Sequence, residues 1–367
     1  MIEGVKSLSE KENSISEFTV QFFADSVSID ATVLPLGQIS TDVLNLSNEV
    51  LLDFYKKSGL LCDEVERCLL KPQREKDIAL AETLQSCLND VLEIVYELPL
   101  YRTLDIDREF GSRLFLHTYQ NERKTFQNLF IPYSFESIAL TGFLSALKLS
   151  AAEAISFRLY VQSLVDKYYE RLKRKNSEYY AIGLYDFLRN IPEQQKIESA
   201  LPQQPGFGFF QSRRAMVEYT TMPNPANPKE YMIAERMVFN SLGTFLHVDF
   251  FRGLMHGNAP RRCHNCGHFF LLSSGYDARY CNNIAPGETE RTCRKIGAHR
   301  KETQKAGSSM IQAEYKKVYS RLKTRKFRKK IEDDEWNRQV ALAQDYKEQA
   351  ERGEISEFEL KRIYDGM

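Results

Sequence analysis

The chain has 367 residues, with 50 basic and 50 acidic side chains, 43% hydrophobic residues and a mean hydropathy of −0.44. It is too long for one small core, and its composition is that of an ordinary globular protein, which excludes a disordered or generally polycationic class. The zero net charge hides an asymmetry: residues 251–330 hold 19 basic and 5 acidic side chains, residues 331–367 hold 5 and 11, and the first 250 carry a net −8. A basic block inside a neutral chain points to a local polyanion site.

Residues 1–16 are polar and acidic, without the apolar stretch of a secretory signal, and no run of eighteen apolar residues follows. The expected location is therefore cytoplasmic, with reduced thiols and no membrane partner. Phe18–Phe22 alternates as a strand does, and Val27–Ile29 resumes the period after Asp25-Ser26, which predicts a small hairpin. From Ser40 the pattern turns helical. Leu80, Leu84, Cys87, Val91, Ile94 and Leu98 repeat at three and four, with Pro99 as a stop. Cys62, Cys68 and Cys87 fall on apolar stripes and read as core packing.

Ser150 and Glu153 have the spacing of a capping box ahead of a long helix lined by Phe157, Val161, Leu164, Tyr168 and Leu172. Two loops are expected, at 202–208 and 222–228. Gly206-Phe207-Gly208 lacks the third glycine of a nucleotide fingerprint and reads as loop. Asn227, Pro228 and Glu230 signal a helix start, continued through Met237, Phe239, Leu242, Phe245 and Phe251 to Gly257. On that helix Asp249 and Arg252 would form an i, i+3 ion pair, or else a polar contact to the cysteine knuckle that follows. No phosphate loop, nucleophile elbow or internal repeat is present.

The densest chemistry lies between Cys263 and Cys293. Cys263 and Cys266 enclose two residues and precede Gly267, the pattern of a knuckle. Phe269–Leu272 reads as a short apolar strand, Gly275 as a turn, and Cys281 follows Tyr280. Cys293 comes after an insert, residues 282–292, that contains Pro286 and Gly287 and reads as a loop. Four thiolates suit one structural Zn2+ in a treble-clef or ribbon-like module. The usual closely spaced second pair is absent, which makes His264, His268 and His299 candidate replacement ligands, but each reads first as a solvent-facing or backbone-bonded imidazole.

Beyond Cys293 the helical pattern continues. Met310 or Ile311, with Tyr315, Val318 and Leu322, forms its apolar face, and nine of the fifteen residues 316–330 are Lys or Arg. The charge then reverses at Glu332-Asp333-Asp334-Glu335. Trp336, Val340, Ala343 and Tyr346 mark a further helix, and Ser356 with Glu359 boxes a last one. The chain is thus expected to be mainly α: a helical N-terminal domain with a small β-hairpin over 1–230, a connecting helix and zinc module over 231–300, and basic and terminal helices over 301–367.

The segments Arg261-Arg262-Cys263-His264-Asn265-Cys266-Gly267, Tyr280-Cys281-Asn282-Asn283 and Thr292-Cys293-Arg294-Lys295-Ile296-Gly297-Ala298-His299 resemble a bacterial family of unknown function, over roughly residues 235–367. They are distantly similar to the CGNR-type zinc fingers of bacterial regulators. Cys293-Arg294-Lys295 stands where those carry Cys-Gly-Asn-Arg, so the resemblance transfers no DNA-binding residues. The residues themselves point to a zinc-stabilised nucleic-acid-binding protein, with a bacterial transcriptional regulator as the narrower expectation, DNA preferred to RNA and protein association left to the N-terminal domain. The binding residues would be Arg294, Lys295, Arg300, Lys316, Lys317, Arg321, Lys323, Arg325, Lys326, Arg328, Lys329 and Lys330. Two alternatives stand: a scaffold in which zinc only supports a protein-interaction surface, and a nuclease using His264, Asn265, Asn282, Asn283 and His299. No acidic-His-His cluster supports the latter, and no catalytic residue is expected.

Overall fold

A computed structural model of the chain describes residues 13–30, 32–72, 75–201, 214–225, 227–273 and 278–367, with backbone alone for 300–309. The described chain is mostly helical, with a five-stranded antiparallel sheet, a two-stranded hairpin at the cysteine knuckle, and helices at its C-terminal end. The expected class holds, with a larger sheet than anticipated. The expected loop at 202–208 lies outside the described residues. The chain divides into two compact units, residues 1–263 with 267–278, and residues 264–266 with 279–367.

In the first unit, β1 (Phe18–Phe23), β2 (Ser26–Ile29) and β3 (Thr32–Pro35) form an antiparallel meander. Phe18, Val20 and Phe22 point inward at period two and are buried. Helices α1 (Gln38–Val43), α2 (Asn48–Leu70) and α3 (Ile78–Glu97) follow. Ser47 and Asp77 cap α2 and α3 by accepting from Val50 and Leu80. The α3 stripe packs as expected: Leu80, Leu84, Val91 and Leu98 are buried, and Cys87 and Ile94 are half-buried. Helix α3 ends at Glu97, and Pro99 opens the first of four short helices, α4 (Pro99–Thr103), α5 (Arg108–Arg113), α6 (Leu116–Asn121) and α7 (Arg123–Asn128). Burial pushes the thiols of Cys62, Cys68 and Cys87 above their ordinary pKa, consistent with packing thiols.

The longest helix of this unit, α8, runs Phe135–Lys167 and is capped by Ser134. It starts sixteen residues before the expected Ser150–Glu153 box, whose two side chains lie mid-helix and buried. By length and composition α8 could cross a membrane. Here most of its apolar residues from Leu140 to Val165 are buried in the core. Helices α9 (Ser177–Arg189) and α10 (Ile191–Ala200) complete this segment.

The expected loop at 222–228 and the helix start at Asn227 are both replaced by a β-hairpin, β4 (Met216–Asn224) and β5 (Asn227–Phe239). The sheet order is β3-β2-β1-β5-β4. Long-range pairing decides the outcome: Phe18 opposes Phe239 and Val20 opposes Met237 across β1 and β5. That pairing continues the inward apolar row, which overrides the local cap-and-proline signal. Pro223 and Pro228 sit near the hairpin turn, where lost ladder donors cost least. Helix α11 (Leu242–Met255) begins later than expected, with Ser241 as its cap. It stops as expected at Gly257, whose φ of 82° suits glycine.

Two buried carboxylates bind the starts of other helices. Glu153 of α8 accepts from the Ser241 hydroxyl at 2.7 Å and the Gly243 amide at 2.8 Å, at the start of α11. Asp249 of α11 accepts from the amides of Gly37 at 2.8 Å and Ser40 at 2.9 Å, at the start of α1. Arg252 pairs instead with Glu235 of β5, so the expected Asp249–Arg252 ion pair does not form. Gly253 permits the close approach of these segments: a Cβ there would lie 3.1 Å from the Gly37 Cα and the Leu36 carbonyl.

In the second unit, α12 (Cys293–Phe327) packs against α13 (Asp333–Glu351) and α14 (Glu357–Gly366). Ile311, Val318 and Leu322 of α12 join Ala343, Ala350, Leu360 and Tyr364 in a separate small core, flanked by Tyr315, Trp336 and Val340. Ser356 and Glu359 form the expected capping box.

Burial of Asp249 raises its pKa from 3.8 to about 6, against the lowering effect of its two amide donors. Between those values the folded chain retains a proton that the unfolded chain releases. The group's stabilising contribution is therefore complete below pH 4 and is lost as pH rises through 6. Urea unfolding of wild type and Asp249→Asn across this window should show wild type losing about 3 kcal/mol relative to the variant by pH 7, two units at about 1.4 kcal/mol each. A pH-independent difference would contradict this assignment.

Candidate metal centre

The knuckle grows out of the hairpin of β6 (Ala259–Arg262) and β7 (Phe269–Leu272). Gly267, at φ 77°, turns the chain so that its amide donates to the Cys263 carbonyl at 2.9 Å, while the Cys263 amide donates to His268 at 2.8 Å. The Asn45 side chain, just past the end of α1, clamps β7: its amide donates to the Phe269 carbonyl at 2.9 Å, and its oxygen accepts from the Phe269 amide at 2.7 Å. Arg262 forms a two-point ion pair with Asp166 at 2.8 and 3.1 Å and lies 4.3 Å over the Phe269 ring. Arg261 is buried and pairs with Glu170 at 3.4 Å. These arginines fix the base of the knuckle. Gly275 lies outside the described residues.

The insert between Cys281 and Cys293 is pinned at its ends. Ile284 bridges Thr292, and the Cys293 amide donates to Asn283 at 2.9 Å. The Arg294 amide donates to the Cys281 carbonyl at 3.0 Å, so two cysteines twelve positions apart return to one point. Thr292 caps α12 by accepting from the Lys295 amide at 3.3 Å. Gly297 lies against Tyr280, whose ring would be 2.3 Å from any Cβ at that position. The insert is a loop, as its Pro286 and Gly287 suggest, with Gly287 at φ 79°.

The sulfurs of Cys263, Cys266, Cys281 and Cys293 all lie within 4.8 Å of one another, and Cys266 and Cys281 are 3.6 Å apart. All four are free thiols, three of them buried. Tetrahedral metal–sulfur bonds of about 2.3 Å imply sulfur separations of about 3.8 Å, which this cluster fits. The cluster is a possible metal site, and among the described residues no His, Asp or Glu joins it. His264, His268 and His299 are exposed, and the His264 ring makes an edge contact with Tyr280. The Asn265 amide is 3.4 Å from the Cys293 sulfur, so it serves the thiol cluster. A thiolate accepting that bond is held in orientation and has its charge partly offset. The Asn45 clamp has no local signature, because its partner lies 224 positions away.

The basic residues fall into separate groups on α12. Arg294 and Lys295 are exposed in its first turn. Lys316 lies 21 residues beyond Lys295, about 32 Å along a helix rising about 1.5 Å per residue. Arg300 lies outside the described side chains. At the far end Arg321 donates to the Tyr364 carbonyl, Arg325 donates to that of Met367 at 2.7 Å, Lys326 pairs with Asp333 at 3.0 Å, and Lys317 pairs with Glu314 at 2.7 Å. Lys316, Lys323, Arg328, Lys329 and Lys330 are exposed, and their side chains have no hydrogen-bond or ion-pair partner among the described residues.

Purified, reduced protein should contain one thiolate-bound metal ion per chain by elemental analysis. Cys266→Ala should abolish it, whereas Cys68→Ala should leave it in place. Equal metal content in both variants would sink the assignment of the cluster.

Neither the curated proteins nor the solved structures include a match to this chain. Residues 210–363, which contain the four cysteines, the hairpin and the basic helix, are similar to the family of unknown function DUF6076.

Proposed function

We propose that the chain is a nucleic-acid-binding protein in which one structural Zn2+, held by Cys263, Cys266, Cys281 and Cys293, fixes the start of α12. Four thiolates suit Zn2+ and fill its tetrahedral shell. No coordination position then remains for a water nucleophile, which favours a structural role over a nuclease. When bound, the ion supplies cross-linking free energy, on the order of 10 kcal/mol in small zinc modules.

The observation that carries the binding reading is the uncompensated charge at the end of α12. The acidic run Glu332–Glu335 could have neutralised this surface. It engages little of it: Asp333 takes Lys326, while Glu335 lies beside Arg338 and Gln339 of its own helix. Lys316, Lys323, Arg328, Lys329 and Lys330 are left facing solvent. Basic side chains in a helix's last turn also complement the macrodipole, but that effect fades within one turn. Lys316 and Lys323 lie further back, and the three residues from Arg328 continue past the helix end. A polyanion accounts for all five.

Fluorescence anisotropy with labelled oligonucleotides tests this. Log K should fall with log salt at about −0.9 per phosphate contact on duplex DNA and about −0.7 on a single strand. Replacing Lys316, Lys323, Arg328, Lys329 and Lys330 together by Gln should weaken binding to every sequence and flatten that slope by up to about 3.5 on a single strand and about 4.5 on duplex DNA. No binding at low salt by metal-loaded wild type would leave the scaffold reading in its place.

A further inference from the structure

The last residue of α12, Phe327, is 89% exposed. It lies at the end of a face formed by Lys316, Ser320, Lys323 and Phe327, spaced four, three and four, the spacing of one side of a helix. All four are exposed, and none is acidic. Arg328, Lys329 and Lys330 follow at once. Lys329 takes φ 53°, and the Lys330 amide donates back to the Arg325 carbonyl at 2.9 Å, so the chain folds over the helix end. The apolar residues of α12 that face α13 and α14 are others: Ile311, Tyr315, Val318 and Leu322. Phe327 takes no part in that core.

A phenyl ring kept in water beside Lys323, Arg328, Lys329 and Lys330, which have no partner among the described residues, needs a ligand that is both anionic and flat-faced. Duplex DNA meets the charge, but its base faces are stacked inside. An unpaired strand offers phosphates to the lysines and an open base face to the ring. Resting on the nucleic-acid reading above, we propose that the end of α12 is a single-strand site in which Phe327 stacks on a base, while Lys323, Arg328, Lys329 and Lys330 neutralise the flanking phosphates.

The experiment compares a labelled 20-nucleotide mixed-sequence single strand with the corresponding 20-base-pair duplex, using full-length metal-loaded protein. Wild type should bind the single strand more tightly at matched salt. Phe327→Ala should lower single-strand affinity between about fivefold and a hundredfold, the range for one base–aromatic stack, and leave the salt slope unchanged. Phe327→Trp should restore binding, and Phe327→Leu, apolar but without a π face, should not. Because the ring is exposed, all three variants should keep the wild-type melting temperature. Equal affinity for both oligonucleotides, or Phe327→Leu binding like wild type, would overturn the stacking role and leave the electrostatic reading intact. Loss of a protein contact instead, with Phe327→Ala indifferent to both oligonucleotides, would overturn it in favour of a docking role. Absence of any binding would remove both readings together.

Discussion

A buried helix start is the constraint that shapes the first unit. The first four amides of a helix have no partner within it, and water cannot reach them in a core. This chain answers with carboxylates borrowed from other helices: Glu153 serves α11, and Asp249 of α11 serves α1. Each accepts two donors, so each join has a direction as well as an attraction. Asn45, just beyond α1, then brackets Phe269 at both backbone groups. The long core helix, the central helix, a short, largely buried helix and the strand after the knuckle are thereby placed in series by polar contacts. Apolar packing surrounds these contacts, but it is non-directional and would tolerate several registers.

The cysteine cluster is built on a different economy. Its knuckle is local, with two residues between the sulfurs and a glycine to turn the chain. Its other half is closed by backbone bonds across the insert rather than by short spacing. Cys293 is also the first residue of α12, so the positive end of the helix dipole faces a group of sulfurs that carry negative charge when they hold a metal.

Most of this organisation could be read from residues. The period-two run at Phe18, the stripe through Leu84, the knuckle, the strand at Phe269, the helix start at Cys293 and the box at Ser356 are local signals, and they describe local structure correctly. The failures share one cause. At 216–239 three prolines, the last within an Asn-Pro-Lys-Glu cap pattern, argue for loop and helix, yet the pairing partner of Phe239 is Phe18, some 220 positions earlier. At Ser150 and Glu153 the capping-box spacing was present, but the carboxylate caps a helix 90 positions later. At Asp249 and Arg252 a neighbourly ion pair was outcompeted by Gly37, Ser40 and Glu235. Spacing identifies a polar side chain as a capping group but not the helix it caps, because it carries no information about distant partners. The basic end of α12 was legible as charge, but which cations remain unpartnered depended on where Tyr364, Met367 and Asp333 fold back.

The insert between Cys281 and Cys293 has a separate consequence. Its ends are tied by the Ile284–Thr292 bridge and the Asn283–Cys293 hydrogen bond, while Pro286, Gly287, Thr289 and Glu290 at its tip are exposed. Strain introduced at the tip meets those ties before it reaches a sulfur. Lengthening a loop costs little, about 0.6 kcal/mol for each doubling. Evolution can therefore vary the length of this stretch at small cost, and an engineer can graft an epitope or a fluorophore at Thr289 close to the thiols without rebuilding them.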